Sequence, residues 1–287
     1  MEPGWPPPNG EAITRKVMAD AKVRVMVQPM STAPSFGEQL RAWRQRRRMS
    51  QLDLASEAGV STRHLSFVET GRAAPSRDMV MQLAEHLQVP LRDQNSLLVA
   101  AGFAPRFGER KLDHPDMAAA RAAVDAVLKG HAPNPALAVD RAWTLLAANE
   151  VAFKLMGGIA EHLLAPPANV LRASLHPEGL APAILNLHEW RTHIFARVER
   201  QIEASADASL IALLDELRAY PAPGARPAPL REIPVLTPLK LRTPLGVLSM
   251  FSVTTLFGMP QDVSLDELAI ESFFPADADS AALLARL

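Results

Sequence analysis

The 287-residue sequence contains no cysteine, which excludes disulfides, thiolate zinc sites, iron–sulfur clusters and thiol redox sensing. It holds a single tyrosine, and no uninterrupted apolar run approaches the ~18 residues that a bilayer-spanning helix needs. An excess of one charge is also missing. Thirty basic residues stand against 31 acidic ones, a net charge of −1 that argues against a general nucleic-acid coat. No P-loop, GxSxG, HExxH or dinucleotide glycine pattern occurs, and histidines and acids are scattered without a nucleophile–base set, so catalysis has no support. His188 and His193 are five residues apart, the wrong spacing for one helix face, and no metal site is expected. What is present is 48% hydrophobic content, appropriate to a globular chain, and length for roughly two domains of ~100 to 200 residues.

The most informative stretch is SQLDLASEAGVSTRHLSFVETG, residues 50–71. Ser50 can cap a short helix with Asp53 reinforcing the cap, Leu52, Ala55 and Val60 mark its apolar side, and Gly59 can end it in a left-handed conformation. Ser61 then caps a second helix in which Leu65 and Val68 face a core while Thr62, Arg63, Ser66 and Phe67 point outward. A solvated face has no use for Phe67. A helix in a major groove does: Arg63 can fork onto a guanine, Phe67 can meet thymine methyls, and Thr62 or Ser66 can bond base edges or phosphate. Gln51, at the start of the preceding helix, can bond a phosphate and brace its neighbour.

Flanking segments close a small helical domain. Phe36, Leu40 and Trp43 form the apolar side of a first helix whose other side carries Arg44, Arg46, Arg47 and Arg48, available to phosphates. Pro75 and Ser76 open a fourth helix with Met79, Val80, Leu83, Ala84 and Leu87 as its buried stripe, Arg72 and Arg77 flank its start, and Leu91–Gly102 supplies a fifth. Residues 36–102 resemble the xenobiotic-response-element family of bacterial and phage repressors through SQxxLAxxAGVS (Ser50–Ser61), LSxxExGxxxPS (Leu65–Ser76) and LAxxL (Leu83–Leu87). The resemblance implies a five-helix lambda-repressor-like fold that binds double-stranded operator DNA. Base-reading positions then fall on Thr62, Arg63 and Phe67, Gln51 becomes a backbone clamp, and Glu69 takes a structural role. Nine arginines against seven acids between Phe36 and Pro105 make binding by one copy modest, so a homodimer on a palindrome is expected.

The remaining chain divides into a proline-rich start and a second domain. Residues 1–35 are expected to be disordered, or untranslated if Met30 is the true start; they lack the charged, apolar and small-residue succession of a secretion signal, so a cytoplasmic protein with no membrane attachment is expected. Boundaries are expected at 36–105 for the DNA-binding part, 106–111 for a linker and 112–287 for the second domain. In that domain, strands at Leu137–Val139 and from Trp143, a helix capped by Asn149, three helical stretches, a proline-rich loop near 221–229, a hairpin turning at Thr243–Gly246 and a last strand near Leu268–Phe273 describe a PAS-like antiparallel sheet with helices. The start of that last segment, SLDEL, reads equally as helix.

VDRAWTLLAAN, LHPEGL, LRTPLGVLSMFSVTTLFG and IESFFPAD resemble the MmyB-like ligand-binding domain, which implies a one-component regulator with a lipophilic effector such as a fatty acid. Phe153, Met156, Ile194, Phe195, Met250, Phe251, Phe257 and Phe273 are candidate pocket walls, and Arg172, His176, Arg191 or His193 candidate anchors for a carboxylate head. Dimer contacts are expected from helices within 181–219, and repression is the expected sign. The alternatives are a haem- or flavin-binding PAS sensor, and a protein-interaction adaptor whose helix-turn-helix no longer touches DNA.

Overall fold

Serine hydroxyls set the starts of the first four helices. Ser35, Ser50, Ser61 and Ser76 accept the backbone N–H three residues on, and Glu38 and Asp53 return the bond to complete two capping boxes. The helices that follow are α1 (Phe36–Arg46), α2 (Gln51–Glu57), α3 (Thr62–Glu69) and α4 (Arg77–His86), with α5 (Leu91–Ala100) after Pro90. The structure, a computed structural model, describes residues 34–205, 207–223, 236–258 and 260–287; nearly all of the expected N-terminal extension and most of the proline-rich loop lie outside these.

The five helices share one core built from Leu40, Leu54, Leu65, Val80, Leu83, Leu97 and Leu98 with their neighbours. One expectation is corrected here: Leu52 is 66% exposed and Leu54 is the buried leucine. On a 3.6-residue period Leu54, Ala55 and Ala58 share a face, which leaves Leu52 on the far side.

The second part contains α6 (Ala118–Gly130), β1 (Ala136–Val139), β2 (Leu145–Ala148), α7 (Glu150–Leu155), α8 (Glu161–Leu164), α9 (Val170–Leu175), α10 (Leu187–Ser205), α11 (Ala208–Ala219), β3 (Leu239–Thr243), β4 (Gly246–Leu256), α12 (Val263–Asp266), β5 (Ala269–Pro275) and α13 (Ala278–Leu284). The five strands form one antiparallel sheet in the order β2-β1-β5-β4-β3, the curled PAS-like arrangement. SLDEL contributes α12, and the strand follows it.

Both faces of β1 are covered. Leu137 and Val139 face the core shared with α9, α10 and α11, while Ala136 and Ala138 face a smaller core with Val124 and Leu128 of α6. Two-sided burial explains why β1 reads as an unbroken apolar run rather than an alternation. The β1–β2 turn is fixed by Asp140, whose Oδ1 accepts from Ala142 N at 2.9 Å and Thr144 N at 2.8 Å, and by Trp143 at φ 66°.

The two parts meet at α5 and α12. Pro90 offers α5 no side-chain cap, and Asp266 supplies one instead, its Oδ2 accepting Leu91 N at 3.3 Å. Glu267 takes Arg92 in a two-pronged pair at 2.7 and 2.9 Å and approaches Arg141 at 3.5 Å. Residues 106–111, expected as a linker, are pinned: Asn95 bonds the backbone of Arg106 and Phe107, Gly108 O accepts Val263 N at 2.8 Å, and Arg110 pairs with Asp262 at 3.2 Å.

Candidate DNA interface and ligand cavity

The outer side of α3 is held in place by a buried polar network beneath it. Glu69, at the C-terminal end of α3, accepts from Arg44 Nε at 2.6 Å and Nη2 at 3.0 Å, and from Gln51 Nε2 at 2.7 Å. Arg44 also donates to Met49 O at 2.8 Å, so α1, α2 and α3 are fixed to one another by charged hydrogen bonds rather than by packing alone. The adjacent carboxylate raises the Arg44 pKa. Above this network Arg63 is exposed and Thr62, Ser66 and Phe67 are half-buried, with the Arg63 guanidinium 5.3 Å from the Phe67 ring centroid. Ser61 Oγ accepts His64 N at 3.1 Å, and Gln51 keeps the second hydrogen of its Nε2 free of the Glu69 bond.

The basic residues separate into two groups. Arg48, Arg72 and Arg77 are exposed. Arg47 is a correction: its Nε donates to Leu87 O at 2.8 Å and its Nη2 to Gln88 O at 2.9 Å, so it closes the end of α4 instead of standing free for phosphate. Arg44 is taken by Glu69. The arginine cluster of α1 is thus half structural.

Between the sheet and the helices α9 and α10 lies a cavity of about 100 Å³. Trp190, His193, Ile194 and Arg197 project into it from one face of α10, at the i, i+3, i+4, i+7 spacing of a helix stripe. Leu137, Leu239, Ser252, Glu271 and Phe273 form the sheet side, and Trp143, Met156, Ile159, Leu171, Ser174 and Leu180 close the rest. Burial holds the His193 imidazole below its usual pKa, with Arg197 and Arg200 adding to the effect, and the ring stacks on Trp190.

Of the wall residues expected from sequence, Met156, Ile194 and Phe273 reach this cavity, and the others are corrections. Phe153 is 54% exposed on α7. Met250 is buried in the core without reaching the cavity. Phe251 stacks on Phe274 across the other face of the sheet, because strand alternation sends Leu248, Met250 and Ser252 inward and Phe251 outward. Phe257 packs with the α6 core.

Arg172 is paired with Glu216 at 2.7 Å, and Arg191, one position off the α10 stripe, lies over Phe195 and donates to Arg218 O near the C-terminal end of α11, where the helix dipole favours a cation. His176 lies outside the cavity; with His162 and Glu178 it brings potential ligand atoms within 4.8 Å of one another. Its Nδ1 accepts Glu178 N at 3.1 Å, so one of its two ring nitrogens is engaged with the backbone.

The structure thus joins a helix-turn-helix module to a PAS-like sheet that encloses an apolar cavity. Residues 120–287 match the profile of the MmyB-like transcription regulator ligand binding domain, and the chain belongs to that family. Residues 35–97 match a helix-turn-helix domain. The HTH-type transcriptional repressor RghR of Bacillus subtilis (strain 168) is 37% identical over 78 residues, which is 27% of this chain and 56% of that protein. A solved structure of an RNA-binding light-oxygen-voltage receptor aligns with a TM-score of 0.26 at 16% identity, covering 88% of this chain and 65% of the other, a likeness on which nothing further rests. Among the described residues no helix is long and apolar enough to cross a membrane.

Proposed function

We propose that this protein is a one-component repressor that binds a palindromic operator as a homodimer and changes its operator affinity when a small apolar molecule fills the cavity. The observation that carries the reading is the outward set Thr62, Arg63, Ser66 and Phe67 on a helix bolted from below by Glu69. Arg63 reads a guanine and Phe67 a thymine methyl; Gln51, Ser61, Arg48, Arg72 and Arg77 hold phosphates. Repression is favoured by the designation of the similar Bacillus subtilis protein as a repressor, and a DNA target is consistent with a cytoplasmic location.

The signal starts in β5, which presents Glu271 and Phe273 to the cavity and follows directly on the Asp266 and Glu267 contacts to α5. Pairing of two copies through α10 and α11 would then set the distance between the two α3 helices.

Selection of binding sites from randomised duplexes tests the reading. A palindromic consensus should emerge, and Arg63→Ala with Phe67→Ala should abolish the enrichment; no enriched sequence even at low salt would refute it. An adaptor with a degenerate helix-turn-helix would keep its partner through the same double substitution.

A further inference from the structure

Among the described residues three ionisable side chains face the cavity: His193 and Arg197 from α10 and Glu271 from β5. Glu271 is 3% exposed, and both its oxygens are taken. Oε2 accepts from Arg197 Nη1 at 2.9 Å, while Oε1 accepts from Arg197 Nη2 and from Thr254 Oγ1 at 2.8 Å. Arg197 in turn lies over the Trp143 ring at 4.5 Å, which fixes the guanidinium against a second wall of the same cavity. His193, its pKa lowered by burial and by Arg197 and Arg200, is a neutral ring at neutral pH with one donor and one acceptor nitrogen. The charges on the lining therefore cancel.

A carboxylate entering this space can reach the N–H groups of Arg197 that Glu271 leaves over, but it sets a second buried anion beside Glu271 with a single guanidinium between the two. An ammonium group sets a second buried cation beside Arg197 with only Glu271 to balance it. A neutral polar group adds no uncompensated charge. Ser252 and His193 can bond it, and Ser174, whose Oγ accepts Trp190 Nε1 at 3.1 Å, still has its own O–H to give.

We propose that the effector is an uncharged apolar molecule with one hydrogen-bonding group, such as a hydroxyl, amide or carbonyl, and that the Arg197–Glu271 pair excludes the anionic and cationic counterparts of the same skeleton. This rests on the reading of the cavity as the effector site. A fatty acid in its carboxylate form is thereby the wrong ligand for the intact pair.

The test compares octanol, octanamide, octanoate and octylammonium on the full-length protein, read by the fluorescence of Trp143 and Trp190 in the cavity wall. Octanol and octanamide should bind at least ~10-fold more tightly than either ion. Glu271→Gln keeps the side-chain shape and frees Arg197, so octanoate should gain ~10-fold or more relative to octanol. Octanoate binding the wild type as tightly as octanol overturns the inference and leaves the cavity as an effector site. Glu271→Gln with no gain for octanoate removes the ion pair as the cause and likewise overturns it. Should that variant fail to fold, the four-probe comparison on the wild type decides alone. If none of the four binds while operator binding is intact, the effector-site reading itself is wrong, and the inference falls with it.

Discussion

Removing Glu69 should damage the DNA-binding part more than any exposed base-reading residue can. The Glu69 side chain is 2% exposed and the Arg44 side chain 10%, and Glu69→Ala would leave that guanidinium buried with only Met49 O as a partner. Breaking a buried pair from one side costs ~3 to 5 kcal/mol, against a total stability of only ~5 to 15 kcal/mol for a folded protein. For a folded unit of this size the midpoint of thermal unfolding should fall by roughly 6 to 20 °C. Replacing both partners with apolar residues of similar volume, Arg44→Met with Glu69→Leu, removes the stranded charge and should recover stability to within about 2 kcal/mol of the wild type. Urea unfolding followed by circular dichroism gives all three free energies on one scale. A Glu69→Ala cost below about 1 kcal/mol, or a double variant no more stable than the single one, would refute the argument that this pair is buried and mutually dependent. The double variant should still bind operator poorly, because Gln51 has lost the carboxylate that orients it.

Arg63→Ala should weaken a selected operator by ~1 to 3 kcal/mol in fluorescence anisotropy at fixed salt, with the unfolding midpoint unchanged because Arg63 is exposed. Glu267→Gln should leave operator affinity intact and shrink the response to octanol, since it weakens the pair with Arg92 that joins α12 to α5; an undiminished response sinks that route. Asp93→Asn should stabilise the protein at neutral pH. Burial is the main cause that raises the Asp93 carboxyl above its ordinary 3.8, so the folded state holds the proton more tightly than the unfolded one, and stability is lost as pH climbs from 3.8 through the raised value. Melting curves across pH should therefore show variant and wild type converging below about pH 3.8 and parting above it.

The helix-turn-helix was legible because its signals are local. A cap at Ser50 or Ser61 acts within one turn, and Gly59 at φ 62° needs no tertiary context to be recognised as a stop. Leu52 was misplaced because α2 has only seven residues, too few for periodicity to fix its phase. Arg47 was misread for a different reason: the carbonyls it bonds lie 40 and 41 residues away, and a basic run looks the same whether it caps a helix or waits for phosphate. In the second part, Asn149 and the turn at Thr243–Gly246 were readable, whereas α6 and α13 went unassigned. The cavity was the least legible feature. Aromatic residues at Phe251 and Phe257 satisfy the composition of a pocket while facing the other side of the sheet, and the stripe Trp190, His193, Ile194, Arg197 was a readable signal left unused.

The size of the cavity bounds the strength of the proposed switch. Cavity volume costs ~24 cal/mol per Å³ in folded proteins, so an occupant that fills about 100 Å³ in one conformation and none in the other favours the first by ~2.4 kcal/mol. That is roughly a 60-fold change in the balance of the two states, inside the ~1 to 3 kcal/mol range of ordinary allosteric coupling. It is less than half of the ~5.5 kcal/mol that an all-or-none reversal from 1:99 to 99:1 demands. The contacts that must yield are of matching strength. Arg92 and Glu267 are 30% and 12% exposed, a partly solvated pair whose loss is of the order of the ligand's contribution rather than far above it. Glu267 stands four residues before Glu271, and β5 lies between β1 and β4, so a shift forced on Glu271 or Phe273 can be taken up at the start of the strand, where α12 meets α5. A partial rather than all-or-none shift follows from these magnitudes, with operator affinity changing by no more than about 60-fold at saturating effector.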